Sequence, residues 1–171
     1  MAEIKSTLDI IMEKTKGLTM TDEEKRELKR KEMAGKFKGL VQKFLDNIID
    51  LDKLEVEAAS LGEGQEGLFR LVRIKEATER IDPEGDNEPI LKILESTTGM
   101  DTGPIREFLT DFEVKLNNER AAHEKRLLKT LEKNGISGSA VIPNLNADPI
   151  WRDYVSNLKQ TFRKEVEGLV D

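Results

Sequence analysis

Apolar residues recur at helical spacing along most of the chain, and proline, glycine and capping residues mark where each run ends. Near the start, Ile4, Leu8 and Ile11 are separated by four and three residues. Gly17 follows at a position where a glycine in the left-handed conformation would end a helix. The pattern therefore predicts a first helix over residues 3–16.

A second helix start lies at Thr21, in the run Thr-Asp-Glu-Glu. This is a capping box, because the Thr21 oxygen can accept from the backbone N–H of Glu24 while the Glu24 side chain reaches back. Gly35 and Gly39 follow as a Gly-x-x-x-Gly pair among lysines, and we expect a close helix approach or a bend there.

From residue 37 onward the spacing of apolar residues becomes heptad-like, with steps of four and three. We expect this seam to continue through residue 61 on one long, coiled-coil-like helix. The seam residues predicted to form an interface are Phe37, Val41, Phe44, Ile48 and Leu51.

Four further helices follow a glycine-rich break at residues 61–67, and the five prolines of the chain, all at or after Pro83, lie at the ends of these helices or between them. The predicted helices cover about 66–81, a short run after Asp86 or Asn87, a long run from about 102 to 134, and 149 to about 169. Residues 135–147 lack a helical pattern. We expect an ordered connector there, held against the helices by Val141, Ile142 and Leu145.

The predicted fold class is all-α, an elongated bundle of about six helices in a single domain spanning residues 1–171. Residues 1–36 are expected to project as a charged helical arm, and residues 37–171 to form the bundle. Hydrophobic residues make up 37 % of the chain and charged residues 36 %. This apolar fraction is low for a globular domain, which suggests either long, thin helices or an oligomer, a homodimer, that completes the core.

The net charge of −6 conceals two oppositely charged blocks. Residues 25–43 contain eight basic side chains against two acidic ones, a balance of +6. Residues 44–67 contain seven acidic side chains against one lysine, a balance of −6. Such a division favours pairing with a second copy or attraction of an anionic partner, and it also suits an exposed, solvated helix.

Several kinds of chemistry lack their residues in this sequence. There is no cysteine, which excludes disulfides and thiolate sites. The first residues show no signal-peptide pattern, and no apolar run approaches the ~20 residues that span a bilayer. We expect a cytoplasmic protein with no membrane association and no cofactor. Asp46, Asp50 and Glu57 are interpreted as a solvated helix face rather than a di-metal cluster, because such clusters also need histidines.

His123 is the single histidine, and it falls on the apolar stripe of the long helix. Glu119 lies one turn earlier, so we expect a structural histidine that pairs with Glu119 at the edge of the core. The Gly-Ile-Ser-Gly-Ser run at 135–139 could cradle a phosphate through its N–H groups. It follows a helix, however, and lacks the Gly-Lys-Ser/Thr ending of a P-loop, which favours a plain connector.

These observations favour a non-enzymatic helical interaction protein: an adaptor, assembly factor or regulatory subunit. It is expected to self-associate through the 37–61 seam and to bind another, unidentified protein. The alternative is anion or nucleic-acid binding through the basic helix Lys25–Lys43, led by Lys25, Arg26, Lys29, Arg30 and Lys31. Phe37 is the only aromatic residue within the basic block, so stacking on single strands is poorly supported. An enzyme would need a polar pocket near His123.

Overall fold

The computed structural model describes residues 21–170. The helix predicted over 3–16, its stop at Gly17 and the first twenty residues of the predicted arm lie outside this range. The described residues form six α-helices and no strand, which confirms the all-α prediction. The helices are α1 (Asp22–Leu45), α2 (Leu51–Leu61), α3 (Glu66–Thr78), α4 (Glu88–Thr98), α5 (Gly103–Lys133) and α6 (Pro149–Glu167), with a 3₁₀ turn at Leu145–Ala147.

The capping box at the start of α1 is formed as predicted. Thr21 Oγ1 accepts from the backbone N–H of Glu24 at 3.2 Å, and the backbone N–H of Thr21 donates to Glu24 Oε2 at 2.7 Å. Two backbone donors that have no partner inside the helix are thereby satisfied. The sequence therefore located this helix start to the residue.

The predicted continuous helix through residue 61 is wrong, because the chain turns between α1 and α2. Asn47 has a φ of 56°, in the left-handed region, which asparagine tolerates better than most residues. Asp50 then caps the new helix, its Oδ1 accepting from the backbone N–H of Lys53 at 2.9 Å. The apolar steps of four and three continue across this turn, which is why the seam suggested a single helix.

The loop between α3 and α4 is closed by the side chain of Asn87, which is buried. Its Nδ2 donates to the carbonyls of Asp82 (2.7 Å) and Gly85 (3.1 Å), and its Oδ1 accepts from the backbone N–H of Asp82. Asn87 also occupies the cap position of α4, but its side chain makes no capping bond there. Its side-chain role is therefore to fold the loop.

Helices α1 to α4 pack together as the helical base, residues 22–98. Helix α1 packs on α2 and α3, and α4 packs on α2 and α3. At the centre, the fully buried rings of Phe37 and Phe69 meet edge to face with centroids 5.8 Å apart. Because α1 has two different helices along its buried side, its seam packs inside a bundle of its own chain.

Helices α5 and α6 pair with each other as the hairpin, residues 103–167. Phe112 and Phe162 are in edge-to-face contact, with centroids 6.0 Å apart, and both belong to the hydrophobic core of the base. Three ion pairs join the regions at the surface: Arg106 with Glu88 and with Glu95, and Lys159 with Glu84. Helix α5 has 31 residues, ~46 Å at the helical rise.

Gly35 and Gly39 lie on an open surface of α1. A Cβ atom at either position would meet nothing within 4 Å among the described residues. Helix α1 is continuous through both positions. Within residues 21–170 the expected close approach of another helix is therefore absent.

Candidate functional site

The far end of the hairpin is a structured turn. Helix α5 ends at Lys133, and Gly135, just after the cap residue Asn134, has a φ of 80° in the left-handed region. The backbone N–H of Ile136 donates to the carbonyl of Leu131 at 2.9 Å, and that of Gly135 to the carbonyl of Glu132 at 3.0 Å. This bond pair is a Schellman motif, which satisfies carbonyls at the helix end. Local chemistry thus directs the chain into the connector predicted at 135–147.

This end of the hairpin, which we call the tip (residues 125–150), exposes aliphatic side chains. Ile142 is 89 % exposed, more than any other large hydrophobic residue in the described range. The tip residues with substantial exposed aliphatic surface are Leu128, Ile136, Ile142 and Ile150. Of the three residues expected to hold the connector, Leu145 is buried and Val141 is half-buried. The expectation for Ile142 is therefore wrong.

No residue from 134 to 147 carries a charge, although charged residues make up 36 % of the chain. Basic side chains flank this neutral stretch on α5: Lys125, Arg126, Lys129 and Lys133 against Glu132. On the other side lies Asp148, which is engaged with His123. The tip is therefore an aliphatic surface with a positive border.

A buried polar contact holds the connector onto α5. His123 is 4 % exposed, and its Nε2 lies 3.0 Å from Asp148 Oδ2. Because the ionised carboxylate only accepts, His123 donates from Nε2. Asp148 Oδ1 also accepts from the backbone N–H of Ile150 at 2.8 Å and caps α6. The Ile150 N–H, followed by His123, holds the pKa of Asp148 below its ordinary value.

Aromatic packing completes this cluster. The rings of His123 and Trp151 lie 5.7 Å apart, and Trp151 stacks on Tyr154 at 5.9 Å. The Tyr154 hydroxyl donates to the carbonyl of Lys115 at 3.3 Å. The imidazole thus lies against the Trp151 ring and is paired with the Asp148 carboxylate.

His123 is buried, as its place on the apolar stripe predicts, but its expected pairing with Glu119 is wrong. Glu119 instead pairs with Arg126 on the outer surface of α5. The partner, Asp148, lies 25 residues downstream and is brought back only when α6 folds onto α5. The sequence marked Asp148 as a helix cap and gave no signal that it would meet His123.

The five predicted interface residues have different environments. Phe37 and Val41 are fully buried within their own chain. Phe44 and Leu51 are half-buried and packed against the same core. Ile48, in the turn after α1, is 68 % exposed. Most of the apolar surface of the seam is thus buried within one chain. A homodimer stays a prediction, and Ile48 is the seam residue exposed enough to contact a second copy.

Residues 48–63, which include α2 and which we call the α2 surface, expose several acidic side chains. Val56 is 70 % exposed there. The acidic residues of this surface, none of which has an ion-pair partner among residues 21–170, are Asp50, Asp52, Glu55, Glu57 and Glu63. The exposed Ile48 and Val56 thus lie in a stretch with five acidic residues and one cation, Lys53, and its net charge is opposite to that of the basic border of the tip.

The predicted anion-binding residues are exposed on the first turns of α1. Lys25 pairs with Asp22 at 3.4 Å, and Lys31 pairs with Glu27 at 3.0 Å, both within the helix. Arg26, Lys29 and Arg30 have no ion-pair partner among the described residues. Lys25, Arg26 and Lys29 also line a shallow surface groove with Gln65 and Leu68 of the base.

A cavity of about 640 Å³ lies between the loop that Asn87 closes and helix α5. Most of its charged groups are paired with one another. Arg106 donates hydrogen bonds to Glu88 and Glu95. These bonds raise the pKa of Arg106, and the bond to Glu88 has the larger effect. Glu84 pairs with Lys159. Most charged side chains of the cavity therefore form ion pairs that join helices, and few are free to contact a ligand.

A metal site and a membrane span were also sought, and the chain was compared with known proteins. Within residues 21–170, no group of three or more His, Asp or Glu side chains is placed to hold a metal ion. Across the same range, no helix combines the length and apolar character needed to cross a membrane. No protein-family model, curated protein or solved structure matches the chain.

Proposed function

We propose that this protein is a non-enzymatic helical interaction module, acting as an adaptor, assembly factor or regulatory subunit, that self-associates through the hairpin tip. The observation that carries the proposal is the exposed aliphatic surface of the tip, with Ile142 at its most exposed point. The contact between His123 and Asp148 supports this proposal, because it holds the connector, and with it the tip, in one conformation.

Covering the exposed aliphatic side chains of the tip would favour association. Covering exposed apolar surface contributes about 25 cal/mol per Å². The tip exposes aliphatic side chains in a stretch that has no charges from 134 to 147. A partner surface would cover these side chains without desolvating a charged group in the connector. Such a contact therefore avoids the large free-energy cost of burying a charge that has no opposite charge beside it.

A second copy of the chain is the occupant that we favour. The tip has a positive border at Lys125, Lys129 and Lys133, whereas the α2 surface has exposed Ile48 and Val56 within a negative border. Complementary borders fix the orientation of two surfaces and speed their association. Two copies in antiparallel orientation would each place a tip on the α2 surface of the other, which gives a closed pair.

The experiment is the absolute mass by light scattering after gel filtration, at low and at high salt. We expect the wild-type chain to exceed the mass of one copy, and Ile142→Asp or Val56→Lys to restore that mass. Val114→Asp is the control, because Val114 is also exposed on α5 but lies outside the tip. Loss of the assembly only at high salt would assign the larger share to the charged borders.

Two outcomes would contradict the proposal. A wild-type mass of one copy at high protein concentration would overturn self-association. An assembly that persists in Ile142→Asp but is lost in Ile48→Asp would move the contact away from the tip to the turn after α1.

A second candidate function is anion or nucleic-acid binding through the basic residues of α1. It is favoured by the exposure of Arg26, Lys29 and Arg30, which lack ion-pair partners in the described part of the chain. This candidate predicts that a labelled oligonucleotide binds with an affinity that falls steeply with salt. Replacement of Lys29, Arg30 and Lys31 by Glu should abolish the binding, and binding that survives would dismiss the candidate.

A further inference from the structure

A separate cleft lies between α5 and α6, with a volume of about 400 Å³. Its walls come from two helix faces. Leu116 and Arg120 are one turn apart on α5, and Arg152, Ser156 and Lys159 follow one stripe of α6 at steps of four and three. The volume lies within the range of about 300–1,000 Å³ that is typical of small-molecule sites.

The charges of this cleft are unbalanced. Three cationic side chains, those of Arg120, Arg152 and Lys159, line it together with one carboxylate, that of Glu84. Glu84 is paired with Lys159. The guanidinium groups of Arg120 and Arg152 have neither an ion-pair nor a hydrogen-bond partner in the described part of the chain. Two positive charges on opposing helices therefore remain available.

The remaining lining suits an organic anion. The Ser156 hydroxyl and the Asn146 amide are neutral groups able to hydrogen bond, and Leu116 and Val155 supply apolar surface. Guanidinium groups match the geometry of phosphate oxygens, and charge-assisted bonds to them are stronger than neutral ones. Apolar surface beside the charges favours a ligand with an apolar body over a bare inorganic ion.

We infer that the cleft binds a small phosphate monoester, with the phosphate held by Arg120 and Arg152 and its apolar body against Leu116 and Val155. The Ser156 hydroxyl and the Asn146 amide, which also line the cleft, would bond the remaining phosphate oxygens. The cleft shares Asn146 with the tip, but none of the exposed aliphatic side chains of the tip and none of the basic residues of α1 line it. The inference does not depend on the proposed self-association.

The chain has a built-in reporter for this site. Trp151 is the single tryptophan, and it lines the cleft. Its indole is almost fully buried against His123 and Tyr154. A ligand that enters the cleft changes the surroundings of Trp151, so tryptophan fluorescence measures binding without a label.

The experiment titrates the full chain with phenyl phosphate at constant ionic strength and follows both tryptophan fluorescence and the heat of binding. We expect a saturable signal, and we expect Arg120→Gln and Arg152→Gln each to weaken binding about tenfold, the loss of one charge-assisted hydrogen bond. Arg163→Gln is the matched control, because Arg163 lies on the same helix outside the cleft. Circular dichroism checks that each variant is folded.

The contrary results are equally specific. Neither heat nor a fluorescence change with the wild-type chain would overturn the site. Equal weakening by Arg163→Gln would show attraction by overall charge rather than a site. Benzoate that binds as tightly as phenyl phosphate would overturn the assignment to phosphate. Ile142→Asp should bind phenyl phosphate like the wild-type chain, which separates this test from that of self-association.

Discussion

The helical base and the hairpin achieve order by different means. In the base, α3 and α4 have 13 and 11 residues, and each buries four apolar side chains. In the hairpin, α5 has 31 residues, yet its buried side chains are Ile105, Phe112 and His123. Each base helix packs against two others, whereas the outer part of α5 has α6 and the connector as its neighbours.

This difference shows how burial depends on the number of neighbouring helices rather than on helix length. A helix packed on two sides buries a wide apolar stripe, and the base gains its stability from that area. The outer hairpin depends on one buried polar contact and on aromatic packing around Trp151. Its aliphatic side chains stay on the surface, where a partner can cover them.

The largest expected effect comes from the centre of the base. Phe69→Ala should lower the free energy of unfolding by about 4 kcal/mol, because it leaves a cavity beside Phe37. Unfolding in urea is followed both by circular dichroism and by the fluorescence of Trp151, which lies in the hairpin. Since Phe112 and Phe162 belong to the core of the base, both midpoints should fall together.

Leu71→Ala on the same helix is the control, because Leu71 is exposed. It should leave both midpoints nearly unchanged. A Trp151 midpoint that stays in place while the circular dichroism midpoint falls would show that the hairpin unfolds independently of the base.

A smaller effect is expected from the polar contact of the hairpin, and it depends on pH. The pKa of Asp148 is lowered in the folded state, so its contribution is present above the unfolded value of about 3.9. This contribution is lost as the pH falls through the folded pKa. Asp148→Asn keeps an acceptor for the Ile150 N–H but cannot titrate. Its stability should therefore fall less steeply in acid than that of the wild-type chain.

The measurement is the midpoint of urea unfolding at a series of pH values from neutral to about 2, the range that spans carboxylate titration. Asp153→Asn serves as the comparison, because Asp153 is an exposed carboxylate on the same helix. Identical acid slopes for the wild-type chain and Asp148→Asn would rule out this contribution.

The smallest effect on stability is expected at the tip. Ile142→Asp should change the free energy of unfolding of a single copy by less than about 0.5 kcal/mol, as for most surface substitutions. Urea unfolding at low protein concentration measures this change. A loss of several kcal/mol would mean that Ile142 supports the connector, and the contrast between base and tip would no longer hold.

The helix starts and stops were predictable because they are local. Thr21, Asp148 and Gly135 act through bonds to residues a few positions away, and these bonds form in the structure as their sequence context indicates. The turn after α1 was missed for a related reason. The apolar spacing is the same on both sides of Asn47, so periodicity alone did not reveal that the chain changes direction.

The candidate sites were harder to predict, because each joins residues that are distant in sequence. The charge blocks and the uncharged connector are visible in the sequence, but the exposure of Ile142 and the burial of Phe37 depend on which neighbours cover them. The α5–α6 cleft combines Arg120 with Arg152, which are 32 positions apart. No pattern in the sequence relates them.

The sequence by itself determined that this chain is helical, where most helices begin and end, and how its charges are distributed. These properties depend on bonds and periodicities within a few residues. Only the tertiary structure decided that the seam packs inside its own chain, that His123 meets Asp148, and that the tip stays uncovered. Those outcomes depend on how helices far apart in sequence divide a limited apolar surface among themselves, which no local pattern encodes.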